Sequence, residues 1–298
     1  MKQFLLPLFL LALAACTPEQ REDAPPLIVC TTGILGDAAA EMTSGCEVHA
    51  LMGPGTDPHL FKPTKESLDL LQRADVIVAN GLHLEGRMQD ILEKLQRQKP
   101  VIFVAEGIEK KNLRYEDALG KVPDPHVWFD VSLWKEALGY LNGQLEQVSP
   151  TCHDAGRSHS YLAGLDTLHQ WVGSEVAKIP KEQRVLITAH DAFSYFGAAY
   201  GIEVVALQGI STAAEYGVRD VTNMIQLITE RKIRAIFEES SIAPRSVEAI
   251  VAGCAQRGFE VKRGGTLYSD ALGGSESGAD HYVGMVRHNV TTIQQALR

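Results

Sequence analysis

The stretch AGRSHSYLAGLDTLHQWVGSEVAKI, residues 155–179, decides how the chain is organised. Tyr161, Leu165, Leu168, Val172, Val176 and Ile179 recur at steps of three and four, the spacing of one apolar helix face. Pro150 stands before the stretch and Pro180 closes it. Roughly 25 residues at 1.5 Å each give about 37 Å of helix. That length suits a helix crossing between two lobes better than one turning around a single lobe.

Strands and helices alternate on both sides of it. Upstream, LIVCTT reads as a buried strand, ILGDAAAEMTSG as a helix and CEVHALMG as a second strand. TKESLDLLQRA is a helix with Thr64 as its cap. DVIVAN and VIFVA are strands flanking the helix LEGRMQDILEKLQRQ, and VSLWKEALGYLNGQLEQV is a further helix. Downstream, RVLITAH, IEVVAL and IRAIFEE read as strands, and DAFSYFGAAYG, VRDVTNMIQLITERK and PRSVEAIVAGCAQRG as helices. FEVKRG leads into a Gly-rich loop, TLYSDALGGSESGADH, and a last helix starts near Tyr282. The alternation predicts an α/β fold: two lobes with mostly parallel sheets, 27–152 and 180–298, bridged by one long helix over 153–179. Each lobe is expected to have its own core.

The first residues are not part of that fold. MKQFLLPLFLLALAA, residues 1–15, has a short basic start and an apolar run too short to span a bilayer, so it reads as an export signal. Its end, LAAC, resembles the bacterial lipoprotein processing site, which implies lipidation of Cys16. TPEQREDAPP then suits a tether over residues 16–26. The formal net charge is −9, and without the leader, whose only charge is Lys2, about −10. No basic cluster tracks a phosphate backbone, which argues against nucleic acid as a partner. Cys30, Cys46, Cys152 and Cys254 stand too far apart for a CxxC metal knuckle. Export permits disulfides among them, and three full pairings are open.

Four polar residues fall in loops where an α/β sheet presents ligands, at the carboxyl ends of strands. His59 follows CEVHALM, His126 precedes a helix, His190 ends RVLITAH, and Asp270 follows the last strand. Three imidazoles and one carboxylate form a suitable set for Zn²⁺ or Mn²⁺. Two of these histidines sit in a repeated Asp-Pro-His, TDPHLF and DPHVWFD. The proline restrains the backbone before each ring, and Asp57 and Asp124 could bond the far ring nitrogen or the local backbone. Glu215, in GISTAAEYG, is a reserve ligand or supporting group. His49 reads as structural, and His83, His153, His159, His169, His281 and His288 lack a comparable setting.

GPGTDPHLFKPT, DPHVWFD, LITAHDAFSYFGAAYG and LYSDALG occur in the order and spacing of one family. The chain resembles the solute-binding proteins of zinc and manganese ABC importers, solute-binding family 9 (cluster A-I). The resemblance implies two lobes joined by one rigid helix, with His59, His126, His190 and Asp270 as metal ligands. GISTAAEYGVRD resembles the loop that closes beside the metal. The resemblance also implies a lipid-anchored, extracytoplasmic monomer that delivers its ion to a permease driven by an ATPase subunit. His190 resembles zinc and mixed-metal members, because some manganese members carry Glu there. The segment RYEDALGKVP, by contrast, lacks the His-rich loop of many zinc receptors. Zinc and manganese both stay open, ahead of iron. Two rivals remain at this level: a zinc hydrolase with Asp270 as base, and a surface adhesin with a structural metal. The sequence holds no HExxH, GxSxG or P-loop, so no enzyme is expected.

Overall fold

The computed structural model describes residues 24–116 and 122–298. The export signal, Cys16 and the tether through residue 23 lie outside the described residues, as do residues 117–121 of the segment before the second Asp-Pro-His.

The N-terminal half contains β1 (Leu27–Thr32), α1 (Gly33–Met42), β2 (Glu47–Met52), α2 (Lys65–Arg73), β3 (Val76–Ala79), α3 (Gln89–Gln96), β4 (Val101–Phe103) and α4 (Val131–Val148). Its strands are all parallel, in the order β2-β1-β3-β4. Every residue of β1 and β3 is buried, which explains their unbroken apolar runs: both faces are covered. Thr32 and Thr64 cap α1 and α2 by accepting from the backbone N–H three residues on.

After α5 (Ala155–Val176) come β5 (Val185–His190), α6 (Ser194–Tyr200), β6 (Glu203–Gln208), α7 (Val218–Arg231), β7 (Ala235–Glu239), α8 (Arg245–Gln256), β8 (Lys262–Leu267) and α9 (Tyr282–Leu297). Here β5 pairs with β6 and β7 with β8, both parallel, and β5 packs beside β7. The sheets are parallel as the alternation predicts, so within each the carboxyl ends of the strands share one edge.

Several boundaries differ from the sequence reading, three of them informative. Gly86–Met88 forms a 3-10 turn, so α3 begins only at Gln89. The strand β8 runs through Gly264 and Gly265 to Leu267, two residues into the stretch read as a loop. A Cβ on Gly264 would press into the Phe237 ring, and Gly265 has φ +115°, so glycine is what lets this strand pack there. The long helix stops at Val176. Beyond it the Arg184 guanidinium donates to the carbonyls of Ala177 (3.1 Å) and Ile179 (2.9 Å), supplying donors that the helix end lacks.

Each half has a core of its own, as expected, but a larger core is shared between them. The largest buried apolar cluster is continuous, from Ile28 and Leu35 through Trp128, Leu138 and Leu168 to Phe193, Tyr282 and Ile293. Only the outer faces have private cores, around Ile77 and Leu92 in one half and Ile187 and Ile228 in the other. The cause is helix placement. The long helix α5 packs on α1 and α4 on one side and on α6 and α9 on the other. The final helix, although late in sequence, also reaches back to α1: the Tyr282 N–H donates to Asp37 Oδ2 at 2.9 Å.

Candidate metal centre

The repeated Asp-Pro-His makes the same local structure twice. Asp57 Oδ1 accepts the His59 N–H at 2.9 Å, and Asp124 Oδ1 accepts the His126 N–H at 2.9 Å. The aspartate closes a turn on its own backbone two residues on, and the intervening proline fixes φ inside it. The two copies then diverge. Asp124 Oδ1 also meets His126 Nδ1 at 2.8 Å, so it sets the ring as well as the backbone. Asp57 Oδ2 instead accepts from the Thr212 hydroxyl at 2.6 Å, across to the loop after β6.

Both halves of the molecule hold the second copy in place. Asn80, at the end of β3, donates from its amide to the Pro125 carbonyl at 3.0 Å. Glu85 fixes the Asn80 backbone, accepting its N–H at 2.6 Å and the Thr31 hydroxyl at 2.7 Å. From the other half, the Tyr195 hydroxyl donates to the Asp124 carbonyl at 3.0 Å. The Trp128 indole donates to the Ser269 carbonyl at 3.1 Å, tying His126 to the neighbour of Asp270.

His190 is the last residue of β5 and is held by Glu239, the last residue of β7. Glu239 Oε1 accepts the N–H groups of Ala189 and His190, each at 2.9 Å, and Oε2 stands 2.6 Å from His190 Nδ1. The sequence reading passed over Glu239. Its only sign was an acidic pair, Glu238–Glu239, ending an otherwise apolar strand, and only the fold shows that the second of the pair turns inward.

His59, His126, His190 and Asp270 meet, each offering a nitrogen or oxygen within 4.8 Å of all the others. His59 Nε2 and His126 Nε2 are 3.3 Å apart. Asp270 Oδ1 stands 3.4 Å from His126 Nε2, and Oδ2 stands 3.4 Å from His190 Nε2. Ligands about 2.05 Å from a tetrahedral ion stand roughly 3.3–3.4 Å from one another, so these three edges have the size of an ion's coordination shell. His126 and His190 are fully buried, Asp270 is 1% exposed and His59 5%. His190 Nε2 and Asp270 Oδ1 have no hydrogen-bond partner, which is costly for buried polar atoms unless something lies between them.

The charges of the cage are ordered. Burial drives His59 down to about 3, so its ring is neutral. Burial also opposes charge on His126, but Asp124 and Asp270 outweigh it and raise that ring to about 9. His190 is raised in the same way, burial being overcome by Glu239 and Asp270. For Asp270, burial is outweighed by His190 and His126, which hold it well below the usual carboxylate range. The carboxylates thus favour positive charge in the cage, which a divalent cation would supply.

The remaining sequence candidates lie elsewhere. Glu215 is exposed in the loop after β6 and is not part of the cluster. His281 is exposed, 3.1 Å from Asp280. Cys16 lies outside the described residues.

A family model described as the periplasmic component A of zinc-uptake complexes, ZnuA, matches residues 28–296. The manganese-binding lipoprotein MntA of Bacillus subtilis is 44% identical over 274 residues, covering 91% of this chain and 89% of that protein. The zinc-binding protein TroA of Treponema pallidum is 43% identical over 280 residues, covering 92% of this chain and 90% of that protein. The solved structure of the periplasmic zinc-binding protein TroA from Treponema pallidum superposes with a TM-score of 0.88 at 41% identity, covering 92% of this chain and 99% of that one.

Proposed function

Since the chain belongs to the ZnuA family of periplasmic zinc-uptake components, we propose that it captures one divalent ion, zinc or manganese, outside the cytoplasmic membrane. The ion is held by His59, His126, His190 and Asp270 and is passed to an ABC permease powered by an ATPase subunit. The observation that carries this reading is the buried cage itself: four ligand atoms from four separate segments of the chain within 4.8 Å. Asp124 and Glu239 hold the far nitrogens of two rings, which fixes the tautomer that leaves Nε2 free for the ion. Relatives named for manganese and for zinc are about equally similar, so similarity does not choose the metal.

In the same proposal residues 1–15 are an export signal, Cys16 bears the lipid and 16–26 form the tether. Lobes 27–152 and 180–298 are joined by the helix region 153–179, and the protein works as a monomer. In this reading the protein binds its ion and is no enzyme, which the two oxygens of Asp270 facing imidazoles and the near-complete burial of all four ligands support. The test is competitive titration of metal-free protein with zinc and manganese, with His190→Glu in parallel. One ion per chain, and a gain in relative manganese preference in the variant, are expected. A stoichiometry of zero, or an unchanged preference, would overturn the assignment.

A further inference from the structure

The four described cysteines are not equivalent in space. Cys254 belongs to the outer core of the C-terminal half, and Cys30 is buried in the middle of β1. Cys46 and Cys152 are brought together where the end of α1 meets the start of α5. Thr43 and His153 form an antiparallel bridge, and the Ser44 N–H donates to the Cys152 carbonyl at 2.9 Å. The Ser158 hydroxyl donates to the Met42 carbonyl at 3.1 Å, and the Arg157 guanidinium to the Ala40 carbonyl at 2.9 Å. Gly45, at φ +69°, turns the chain so that Cys46 packs against the buried cluster to which Cys152 belongs, next to the backbone bond joining Ser44 to Cys152. Cys152 is fully buried, whereas Cys46 is half-buried at the rim of the shared core.

We infer that Cys46 and Cys152 are a latent disulfide pair that clamps the start of the long helix to the N-terminal sheet. Cys46 is the accessible partner and reacts first. Its thiolate attacks one sulfur of a small-molecule or protein disulfide, whose other sulfur leaves as a thiolate. Cys152 then displaces the remaining donor sulfur from Cys46. The two protein thiols lose two protons and two electrons, and the donor disulfide becomes two thiols. Burial and the neighbouring Cys152 push the Cys46 thiol up to about 11, so the exchange is slow at neutral pH and quickens in alkaline buffer. The closed loop would exceed 100 residues, the regime in which a cross-link restricts the unfolded chain most.

The test needs no metal and no membrane. The metal-free protein is incubated with oxidised glutathione at pH 8.5, alkylated under denaturing conditions, digested and analysed by mass spectrometry. Cys46 and Cys152 peptides joined and lighter by two hydrogens, with Cys30 and Cys254 alkylated, are expected. The oxidised protein should melt on the order of 10 °C above its reduced form, and Cys46→Ala should melt at one temperature with or without reductant. Glutathione retained on Cys46, alkylation of both cysteines, or a melting point indifferent to reductant would each overturn the inference.

Discussion

Glu239→Gln probes the metal site through a residue that the proposed ion does not touch. The two backbone N–H groups that Oε1 accepts, from Ala189 and His190, orient the new amide: its oxygen must stay on them. The amide nitrogen then replaces Oε2, 2.6 Å from His190 Nδ1, and presents a donor where an acceptor stood. Nδ1 must become the acceptor, the ring hydrogen moves to Nε2, and the lone pair that faces the cage is lost. Altering a partner that orients a metal-bound histidine costs roughly 10–100-fold in affinity, or about 1.4–2.8 kcal/mol. Glu239→Ala would be a poorer probe, because two orphaned buried N–H groups cost about 1–3 kcal/mol each in stability. The assay is metal competition against a chromophoric chelator at pH 7.5, with a thermal melt of the metal-free protein as the folding control. A folded variant within twofold of the parent affinity would refute the reasoning, since His190 would then not depend on Glu239 for its tautomer.

Three further outcomes are expected. Metal affinity should rise by at least tenfold per pH unit between about pH 6.5 and 9, because His126 carries a proton in the metal-free cage up to about 9 and the ion must displace it; calorimetric titrations showing a flat profile would contradict this. Stability of the metal-free protein should run the opposite way: the raised His126 favours the folded state fully below pH 6.5, and that contribution, on the order of 3 kcal/mol, is lost as pH rises through about 9, as urea unfolding at several pH values would show. Thr212→Val removes the hydroxyl that bonds Asp57 and should speed metal release about tenfold, from a loss of ~1.5 kcal/mol for a charge-assisted bond, measured by stopped-flow with excess chelator; an unchanged release rate would show that this contact does not restrain the loop.

How far the sequence could be read follows from the physics of each element. Runs such as LIVCTT and VLITAH announce buried parallel strands because no Asp, Glu, Lys or Arg interrupts them. Asp-Pro-His announces a rigid ligand turn because its geometry is local. Asp270 could be located because it follows a strand, although how far that strand runs past Gly264 and Gly265 was hidden: glycine in a strand and glycine in a loop look alike until Phe237 is seen filling the space. Glu239 was invisible for a different reason. Its role comes from a neighbouring strand, through contacts 49 and 50 residues away in sequence, and no local pattern records which of two adjacent glutamates faces inward. The shared core was equally hidden, since it depends on which helices α9 meets after the chain has closed.

That return of the last helix sets the order in which the protein can mature. As the chain emerges, α1 is synthesised early, yet its Asp37 waits for the Tyr282 amide and its apolar side for the body of α9. Until α9 has arrived, α1 lacks the Tyr282 N–H that bonds Asp37 and the apolar neighbours that α9 supplies. A chain cut short before Tyr282 would lack both contacts, so the two ends of the sequence are joined in one folding unit.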